Sequence, residues 1–345
     1  MKINNNDIKI SDDVIKDLTL IETFNETWPR FKEKVKDELN GLKSQAQLKS
    51  VGAAARISGV VMTDYEIELF LKKSKKKYMF TQDQLLILGY RSCLRSSGVF
   101  FKEKQKITEQ KIKSLHKQLF SFDILYSLKA GDYRKVSVLD NKFNNIQATK
   151  ASGVYQDIRK NIEKLIFWFN STTDIHVILK VAIFIVHFLS IYPFDKENEK
   201  LSYILTHYLL LQVGYEFVHY CSFESIIEQH KLTYFRALSK TQKSFNQKNK
   251  QYEPWLNCFF NIFKTSIKIL ENKEHEFKFH LSKNQQLILD YSEKVLHFTK
   301  QDIQEVLGLS NSIVNTSLKK LIDVGVLKRE FIEDMILYKK RNYFR

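Results

Sequence analysis

The sequence predicts an all-α protein, because two of its features disfavour a large sheet. It contains only 10 Gly and 3 Pro in 345 residues, and turn-rich β architectures need more of both. Apolar residues recur at helical spacing along most of the chain. Strand-like pattern is confined to short segments that begin near Gly131 and Val326. We therefore predict a helical core with a short β-hairpin, followed by a C-terminal winged helix-turn-helix.

The length predicts two or three domains with cores of their own. The hydrophobic fraction of 43% and the charged fraction of 27% are typical of a soluble globular chain. The polar stretch 271–278 is interpreted as a linker, because the pattern changes after it. We predict three domains: a helical leader at residues 1–100, a helical core at residues 101–272 and a helix-turn-helix unit at residues 273–345.

In the leader, Asp12 and Asp13 are predicted to cap a first helix, and Thr63 a later one. The cationic run 72–77 is interpreted as the solvated C-terminal end of that later helix, with contact to phosphate as the alternative. In the core, amphipathic pattern predicts helices from about Thr108 and over residues 155–169. The segment 175–190 is apolar nearly all round, which indicates a buried central helix. A further helix is predicted from about Asn198 to Val213.

At the C-terminus, Thr299 can cap one helix and Ser310 the next, with the tight turn at Gly308 between them. Two helices and a hairpin in this order are typical of a winged helix-turn-helix. The second helix is expected to expose DNA-binding candidates, namely Ser312, Asn315, Thr316, Lys319 and Lys320. Residues 276–345 carry only three more Lys and Arg (12) than Asp and Glu (9), so a plain packing role stays open beside DNA contact.

The net charge of +16 favours an acidic partner such as nucleic acid, a nucleotide or anionic lipid. The alternative is a lysine-rich composition with no binding role, because the lysines are scattered. The cysteines Cys93, Cys221 and Cys258 are too far apart in sequence to suggest a zinc site or a disulfide framework. The N-terminus lacks a signal peptide, and the apolar run 177–194 contains Lys180 and His187. We predict a cytoplasmic protein with no membrane partner.

The segment Tyr192-Pro-Phe-Asp-Lys-Glu-Asn-Glu-Lys200 lies between two strongly apolar helices. It resembles the signature HPFxxGNGRxxR of the Fic (fido) family. Pro193, Phe194 and Asn198 match the signature, and Lys200 stands at its first Arg.

Other segments are similar to the same family. The stretch Gly131-Asp-Tyr-Arg134 resembles the opening of the flap hairpin, with Gly131, Tyr133 and Arg134 at its matching positions. The segments around Trp28, 234–238 and 253–256 resemble further parts of long Fic proteins. The stretch 54–59 resembles their inhibitory helix "S-x-R-I-E-G": Arg56 and Gly59 match it, while Ala54 stands at its Ser and Ser58 at its Glu. The resemblance thus covers nearly the whole chain and implies a Fic-like helical core.

The resemblance implies transfer of AMP from ATP to a Ser, Thr or Tyr hydroxyl. In the family the motif His is the general base, the glycines admit the phosphates, an acidic residue holds a metal ion and the Arg residues bind phosphate. This chain departs at each of these positions. Tyr192 replaces the base, Lys196 the acidic residue, and Tyr203 the second Arg; Glu197 and Glu199 replace both glycines. A phenol has a reference pKa near 10 and is a poor base at neutral pH.

We therefore predict that no catalytic residue is intact, and that at most Asn198 and Lys200 contact a nucleotide. No metal ligand is expected. The inhibitory helix has changed too, because Ser58 stands at its Glu and Tyr203 at the partner of that Glu. The predicted function is a catalytically degenerate binding or regulatory module for DNA, or for a protein at the flap near Tyr133. A homodimer is a further expectation.

The alternative is an active protein adenylyltransferase, or a related transferase, with a rewired site that uses ATP and Mg. In that case Asp195, Glu197 or Glu199 would hold the metal in a shifted register. The base would be Tyr192 activated by Lys200, or His187. His187, His207 and His219 are otherwise interpreted as buried core histidines.

Overall fold

The structure is a computed structural model. It describes residues 3–36, 38–74, 79–100, 106–135, 157–247, 249–278, 281–323, 326–332 and 335–340. The chain divides into two compact units, Met1–Leu270 and Glu271–Arg345.

The N-terminal part of the first unit is built from four helices. Ser11 caps α1, because its side chain accepts from the N–H of Val14; the expected caps Asp12 and Asp13 lie instead in the first turn of the helix. Apolar residues of α1 that include Phe24, Trp28 and Phe31 are buried at helical spacing. Thr63 and Glu66 form a capping box at the start of α3. The bounds of these helices are α1 Asp12–Lys34, α2 Leu39–Ile57, α3 Asp64–Lys73 and α4 Gln82–Phe100.

The remainder of the first unit contains the core helices and one 3-10 helix, Glu216–Tyr220. Helix α2 packs against both α10 and α4, so the leader and the core belong to one compact unit. The bounds are α5 Glu109–Leu119, α6 Ile124–Ser127, α7 Ile158–Ser171, α8 Val177–Ile191, α9 Asn198–Gln212, α10 Phe223–Gln229, α11 Lys231–Ser244 and α12 Glu253–Lys278.

Helices α8 and α9 form the packed pair at the centre of the unit. Thirteen of the fifteen residues of α8 are buried, and each fully buried Ile, Leu, Val or Phe stabilises the fold by about 1.5–3 kcal/mol. The segment 192–197 joins the two helices. Within the part of the chain that the structure describes, no helix is both long enough and apolar enough to cross a membrane.

Two sequence expectations need comment. The flap hairpin expected from Gly131 onward falls mostly on residues 136–156, which lie outside the described residues. Gly131 lies in a turn, and residues 132–135 have no regular secondary structure. The stretch 271–278, interpreted as a linker, is helical because α12 continues to Lys278, and the division between the two compact units falls at its start. Glu and Lys are good helix formers, so a polar stretch of this composition extends a helix as readily as it links domains.

The second unit has its own hydrophobic core, which includes Ile288, Phe298, Leu318 and Tyr338. Gly308 ends α14 in the left-handed conformation at φ 63°, which a glycine adopts without strain. The two strands pair antiparallel, from Leu327 opposite Lys340 to Ile332 opposite Met335. This is the element order expected of a winged helix-turn-helix. The bounds are α13 Lys283–Ser292, α14 Lys300–Leu307, α15 Asn311–Asp323, β1 Leu327–Ile332 and β2 Met335–Lys340.

Candidate functional site

The segment between α8 and α9 begins and ends with a left-handed residue. Tyr192 has φ 51° and Glu197 has φ 61°, and they are the non-glycine residues of the described chain with positive φ. A left-handed conformation costs a residue with a side chain about 1–2 kcal/mol. Glu197 stands where the signature has its first glycine. The chain therefore keeps the backbone turn that suits glycine while it places a glutamate there.

Asn198 holds this turn together from inside. It is fully buried, its Oδ1 accepts from the N–H of Phe194 at 3.0 Å, and its Nδ2 donates to the carbonyl of Phe194 at 2.7 Å. Buried backbone groups need hydrogen-bond partners, and the Asn198 amide supplies both at once. This accounts physically for the one polar residue that the segment shares with the signature.

The start of the flap lies against the same turn. The N–H of Arg134 donates to the carbonyl of Pro193 at 2.9 Å, and its Nε donates to the carbonyl of Tyr192 at 2.7 Å. The ring of Tyr133 is 5.4 Å from that of Phe194, and Gly131 is buried. The structure thus brings the flap residues named from the sequence together with the motif residues.

His116 is a member of this site that sequence reasoning missed. Its Nδ1 accepts from the N–H of Gly131 at 2.8 Å, which assigns the proton to Nε2, 3.2 Å from the carbonyl of Lys196. The ring stacks on Phe194 with centroids 4.0 Å apart. Burial lowers the pKa of His116 to about 4, so the ring is neutral near pH 7. The sequence did contain one sign of its burial: His116 lies on the apolar face of α5, four residues after Ile112.

The hydroxyl of Tyr192 is held by a carboxylate. It donates towards Oε1 and Oε2 of Glu199, each at 3.2 Å. Burial, and next the charge of Glu199, raise the pKa of Tyr192 above its ordinary value. Burial also raises the pKa of Glu199. The phenol therefore stays protonated near neutral pH and acts as a hydrogen-bond donor, not as a base.

Lys200 joins the start of α9 to the C-terminal end of α2, the segment that resembles an inhibitory helix. Its ammonium lies 2.6 Å from Oε2 of Glu197 and 2.6 Å from Oγ of Ser58, and its side chain is almost fully buried. Ser58 in turn donates to the carbonyl of Ala54 at 3.2 Å. The contact between the two helices thus remains, although neither residue of the family's Glu–Arg pair is present. Lys200 binds Glu197 and Ser58, while the Tyr192 hydroxyl donates to Glu199.

Arg56 fixes the same helix to the core. Its guanidinium makes two bonds to the Glu228 carboxylate, at 2.6 and 2.9 Å, and one bond to Asp64 at 2.8 Å. These partners raise its pKa, with the bond to Glu228 as the largest cause. Gly59 follows at φ 99°, beyond the end of α2. The C-terminal end of α2 is therefore well anchored in the fold.

Tyr203 stands at the second Arg position and is buried. Within the described residues its hydroxyl has no hydrogen-bond partner. Burial raises its pKa above the ordinary value. A buried neutral phenol cannot bind a phosphate charge as a guanidinium does.

A cavity of about 100 Å³ lies beside Lys200, between α2, α4 and the start of α9. Ser58, Asp83, Tyr90 and Glu197 contribute polar side chains to its wall. The volume is close to that of three water molecules, whereas small-molecule pockets usually measure roughly 300–1,000 Å³. Two carboxylates and one ammonium line it, so it is unsuited to a polyphosphate.

The residues present do not fit the nucleotide and metal of the family. Glu197 is paired with Lys200, and Glu199 accepts from Tyr192. At the position of the metal-holding acid, the ammonium of Lys196 lies 5.0 Å from the centre of the Tyr126 ring. Among the residues that the structure describes, no cluster of three or more His, Cys, Asp or Glu could hold a metal ion.

The histidines considered as alternative bases are enclosed by other side chains. His187 bonds to the Tyr252 hydroxyl at 2.8 Å and stacks on Phe245, and burial lowers its pKa to about 3. His207 lies 3.3 Å from the buried carboxylate of Glu224. Burial also lowers the pKa of His219 to about 3. The contacts of His187 and His207 are those of core histidines, whereas His219, also expected in the core, is only half-buried. The enclosed ring of His187 is out of reach of a substrate hydroxyl.

In the second unit, the DNA-binding candidates lie together on one exposed face of α15. Val314, Ser317, Leu318 and Leu321 form the opposite, buried face. Asn315 bonds to Asn311, and the Thr316 hydroxyl donates to the carbonyl of Ser312, within the helix. The exposed set is Ser312, Asn315, Thr316, Lys319 and Lys320.

Comparison with known proteins identifies the core. The model of the Fic/DOC family matches residues 106–210, the span that contains the His116 helix, the flap start and the motif. None of the curated proteins matches the chain in sequence.

Solved structures of Fic proteins have the same fold. A Fic family protein from Desulfovibrio desulfuricans G20 is 15% identical, with 98% of both chains covered and a TM-score of 0.61. A Fic domain containing signaling protein from Bacteroides thetaiotaomicron VPI-5482 is also 15% identical, with a TM-score of 0.54 over 73% of this chain and 98% of that one. A fragment of Fic-1 from C. elegans is 14% identical, with a TM-score of 0.54 over 75% and 72%. Residues 106–210 thus match the Fic/DOC family model, and the chain has the fold of solved Fic proteins.

Proposed function

We propose that this protein is a catalytically degenerate Fic protein that acts as a binding or regulatory module. The observation that carries the proposal is the bond between the Tyr192 hydroxyl and the Glu199 carboxylate. The Tyr192 hydroxyl stands at the position of the general base, but it is a hydrogen-bond donor with a raised pKa. A group that stays protonated cannot accept the proton of a target hydroxyl.

Electrostatics at the start of α9 support the same proposal. Two glutamates replace the glycines around which phosphates would sit. A unit negative charge 4 Å from a phosphate charge is repelled by about 1 kcal/mol in water, and by about 4 kcal/mol at the effective dielectric near a protein surface. Lys200 offsets the charge of Glu197, whereas Glu199 accepts from the neutral hydroxyl of Tyr192 and, when ionised, would repel a phosphate placed there.

Labelled ATP tests the proposal directly. The protein is incubated with ATP labelled on the α-phosphate and with Mg²⁺ or Mn²⁺, and label on protein is measured together with the melting temperature. We expect neither labelling nor a thermal shift. The combined variant Tyr192→His, Glu197→Gly and Glu199→Gly tests sensitivity, since it removes both carboxylates and should gain a thermal shift with ATP. Labelling by the natural protein that is lost in Tyr192→Phe or Lys200→Ala would overturn the proposal.

One observation favours the alternative of an active transferase that uses ATP and Mg. The side chain of the N-cap residue Glu197 pairs with Lys200 and does not cap the backbone N–H groups of the first turn of α9. Uncapped N–H groups at the start of a fifteen-residue helix attract anions. A thermal shift with ATP but no labelling would indicate nucleotide binding through Asn198 and Lys200 without transfer.

For the second unit we propose contact with DNA through the exposed face of α15. Lys319 and Lys320 supply two neighbouring cations, and Asn315 an amide that suits an adenine edge. The test is DNA affinity of the full chain against salt concentration. The double variant Lys319→Ala/Lys320→Ala should lower the slope of log affinity against log salt by about 2.

The matched control is Lys240→Ala/Lys243→Ala, which removes the same charge from exposed positions of α11. Equal effects of the two double variants would contradict the α15 proposal, and so would undetectable binding at low salt. The homodimer, the protein target at the flap and the cytoplasmic location stay predictions.

A further inference from the structure

Ser58, at the C-terminal end of α2, carries a hydroxyl group that lies beside a buried lysine. Ser58 is exposed and lines the cavity next to Lys200. Its Oγ is 2.6 Å from Nζ of Lys200, whose side chain is only 6% exposed. A serine is a weak nucleophile until a neighbouring group takes its proton, and that group must lie within about 2.6–3.2 Å. Ser58 and Lys200 meet this condition.

Glu197 holds Lys200 in this position. Its Oε2 is 2.6 Å from Nζ of Lys200, so a nucleophile, a proton carrier and an orienting carboxylate are joined by two successive hydrogen bonds. The same three roles recur in acyl-transfer sites of unrelated folds, some of which use lysine. Glu197 also has a left-handed backbone, at φ 61°. Strained residues of this kind concentrate at functional sites.

The charge of Lys200 determines how a proton can move between these groups. An ammonium group has no free electron pair and cannot accept a proton. Lys200 must therefore release one of its protons to Glu197 while it takes the proton of Ser58. The Ser58 hydroxyl donates to the carbonyl of Ala54 at 3.2 Å, and rotation about its Cβ–Oγ bond turns its hydrogen towards Nζ. The three side chains then form a relay that leaves Ser58 nucleophilic and Glu197 protonated.

The cavity beside Ser58 provides room for a small apolar group. It measures about 100 Å³, the volume of about three water molecules, which suits a short acyl chain and excludes a long one. The carboxylates of Asp83 and Glu197 on its wall disfavour an acidic substrate, so the substrate is expected to be neutral. The apolar part of the wall consists of Val51, Ala54, Ala55, Val60, Leu86 and Ile87.

The start of α9 offers hydrogen-bond donors for a substrate oxygen. Negative charge that develops on a carbonyl oxygen during acyl transfer is stabilised by such donors. Lys200 lies in the first turn of α9, and the side chain of Glu197 leaves the N–H groups of that turn uncapped. Free N–H groups at the start of a helix stabilise an anion. The helix turn that carries Lys200 thus also supplies donors for the oxyanion.

We propose that Ser58, Lys200 and Glu197 hydrolyse neutral esters of short-chain carboxylic acids. Oγ of Ser58 forms a bond to the ester carbonyl carbon while its proton passes to Lys200 and a proton of Lys200 passes to Glu197. The bond from the carbonyl carbon to the alcohol oxygen then breaks, and that oxygen takes a proton from Lys200, which Glu197 restores. Water attacks the acyl group on Ser58 through the same relay and releases the acid. This activity is additional to the proposed binding function and uses no ATP.

A fluorescent fluorophosphonate tests the nucleophile, because it reacts covalently with an activated serine. We expect the full-length protein to be labelled, with the label on Ser58 by peptide mass spectrometry, and Ser58→Ala to lose the label. The matched control is Ser171→Ala, which should keep full labelling. Ser171 is also exposed, lies at the end of α7 and donates to the carbonyl four residues before it, as Ser58 does. No labelling of the natural protein, or label that persists in Ser58→Ala, would overturn the proposal.

Hydrolysis of p-nitrophenyl butyrate tests the relay. Glu197→Gln keeps a hydrogen-bond acceptor for Lys200 but cannot take up a proton. We expect its kcat/KM to fall roughly a hundredfold, at a temperature below the melting transition of both proteins. The pH–rate profile of the natural protein should contain an ionisation that Glu197→Gln lacks. A merely structural Glu197 would leave the shape of that profile unchanged, and this result would contradict the relay.

The length of the acyl chain tests the cavity. The natural protein should hydrolyse p-nitrophenyl butyrate with a kcat/KM at least about tenfold higher than p-nitrophenyl octanoate, because the longer chain exceeds the cavity. Equal values would show that the acyl chain lies outside the cavity and would refute the site. ATP is absent from every assay, so failure here leaves the proposal of a degenerate Fic protein standing, and ATP transfer would leave the esterase proposal standing.

Discussion

At the scale of single residues, Asn198 is the side chain on which the motif turn depends. It satisfies both the N–H and the carbonyl of Phe194 in a fully buried position. We expect Asn198→Ala to lower the free energy of unfolding by about 2–4 kcal/mol, because two buried backbone groups lose their partner. Urea denaturation measures the change. Asn257→Ala, at an exposed position of α12, should change stability by less than about 0.5 kcal/mol. A similar small value for Asn198→Ala would mean that the turn is held by other contacts.

His116 gives the site a pH dependence of known sign. Its pKa is about 4 in the folded protein against 6.5 for an unperturbed histidine, so the unfolded chain takes up the proton first as pH falls. The unfolding free energy therefore decreases between pH 6.5 and 4, at up to about 1.4 kcal/mol per pH unit for this residue. His187 and His219, with pKa values of about 3, act in the same direction and over a wider range.

The variant His116→Asn isolates this contribution. The Asn Oδ1 can replace Nδ1 as the acceptor for Gly131, but it cannot be protonated in this range. We expect lower stability at pH 7 and a shallower decrease of unfolding free energy between pH 6.5 and 4 than in the natural protein. Stability curves measured by chemical denaturation at several pH values test this. An unchanged slope would show that His116 does not titrate as its burial implies.

Residue identity alone places a phenol at Tyr192 and carboxylates at Glu197 and Glu199, where the signature has a histidine and two glycines. The pairing of those residues does not follow, because side chains of Tyr, Glu and Lys have many rotamers. Lys200 bonds to Ser58 and Glu197, and Glu199 accepts from the Tyr192 hydroxyl. These contacts depend on packing between helices that are distant in sequence.

At the scale of elements, the contact of α2 with α10 fixes the leader to the core. Arg56 binds both carboxylate oxygens of Glu228 and is three-quarters buried. We expect Arg56→Lys to lower stability by about 1–2 kcal/mol, because an ammonium cannot reproduce the bidentate geometry. Hydrogen exchange of α2 and α10 should increase. Arg159→Lys, at an ion pair that is mostly exposed, is the control and should have no measurable effect. Unchanged exchange in α2 would mean that its apolar face alone anchors it.

Helix positions were predicted from periodicity more reliably than helix ends. The buried central helix, α8, has the expected place because its residues are apolar on every side. The C-terminal end of α12 was predicted too early. A run of Glu, Asn and Lys is compatible both with a linker and with a helix that continues beyond its packed face. The sequence did not predict a role for His116. A single polar residue on an apolar helix face gives no sign that the ring nitrogens of that residue connect the flap to the motif turn.

At the scale of the whole molecule, the two compact units have separate hydrophobic cores. Leu318 of α15 is buried in the core of the second unit. We expect Leu318→Ala to destabilise that unit by about 2–5 kcal/mol, through lost burial and the cavity that remains. Hydrogen exchange should then rise in α13, α15 and β1, while α8 of the first unit keeps its protection.

Leu296→Ala in the same unit is the control for this variant, because Leu296 is 82% exposed, and it should leave exchange unchanged throughout. Equal loss of protection in α8 and α15 of Leu318→Ala would contradict separate cores and would mean that the chain unfolds as one cooperative body.

The outcome also decides how the DNA measurement is interpreted. If the cores are separate, loss of DNA affinity in Leu318→Ala with α8 intact would assign the DNA contact to the second unit, independently of any change in surface charge.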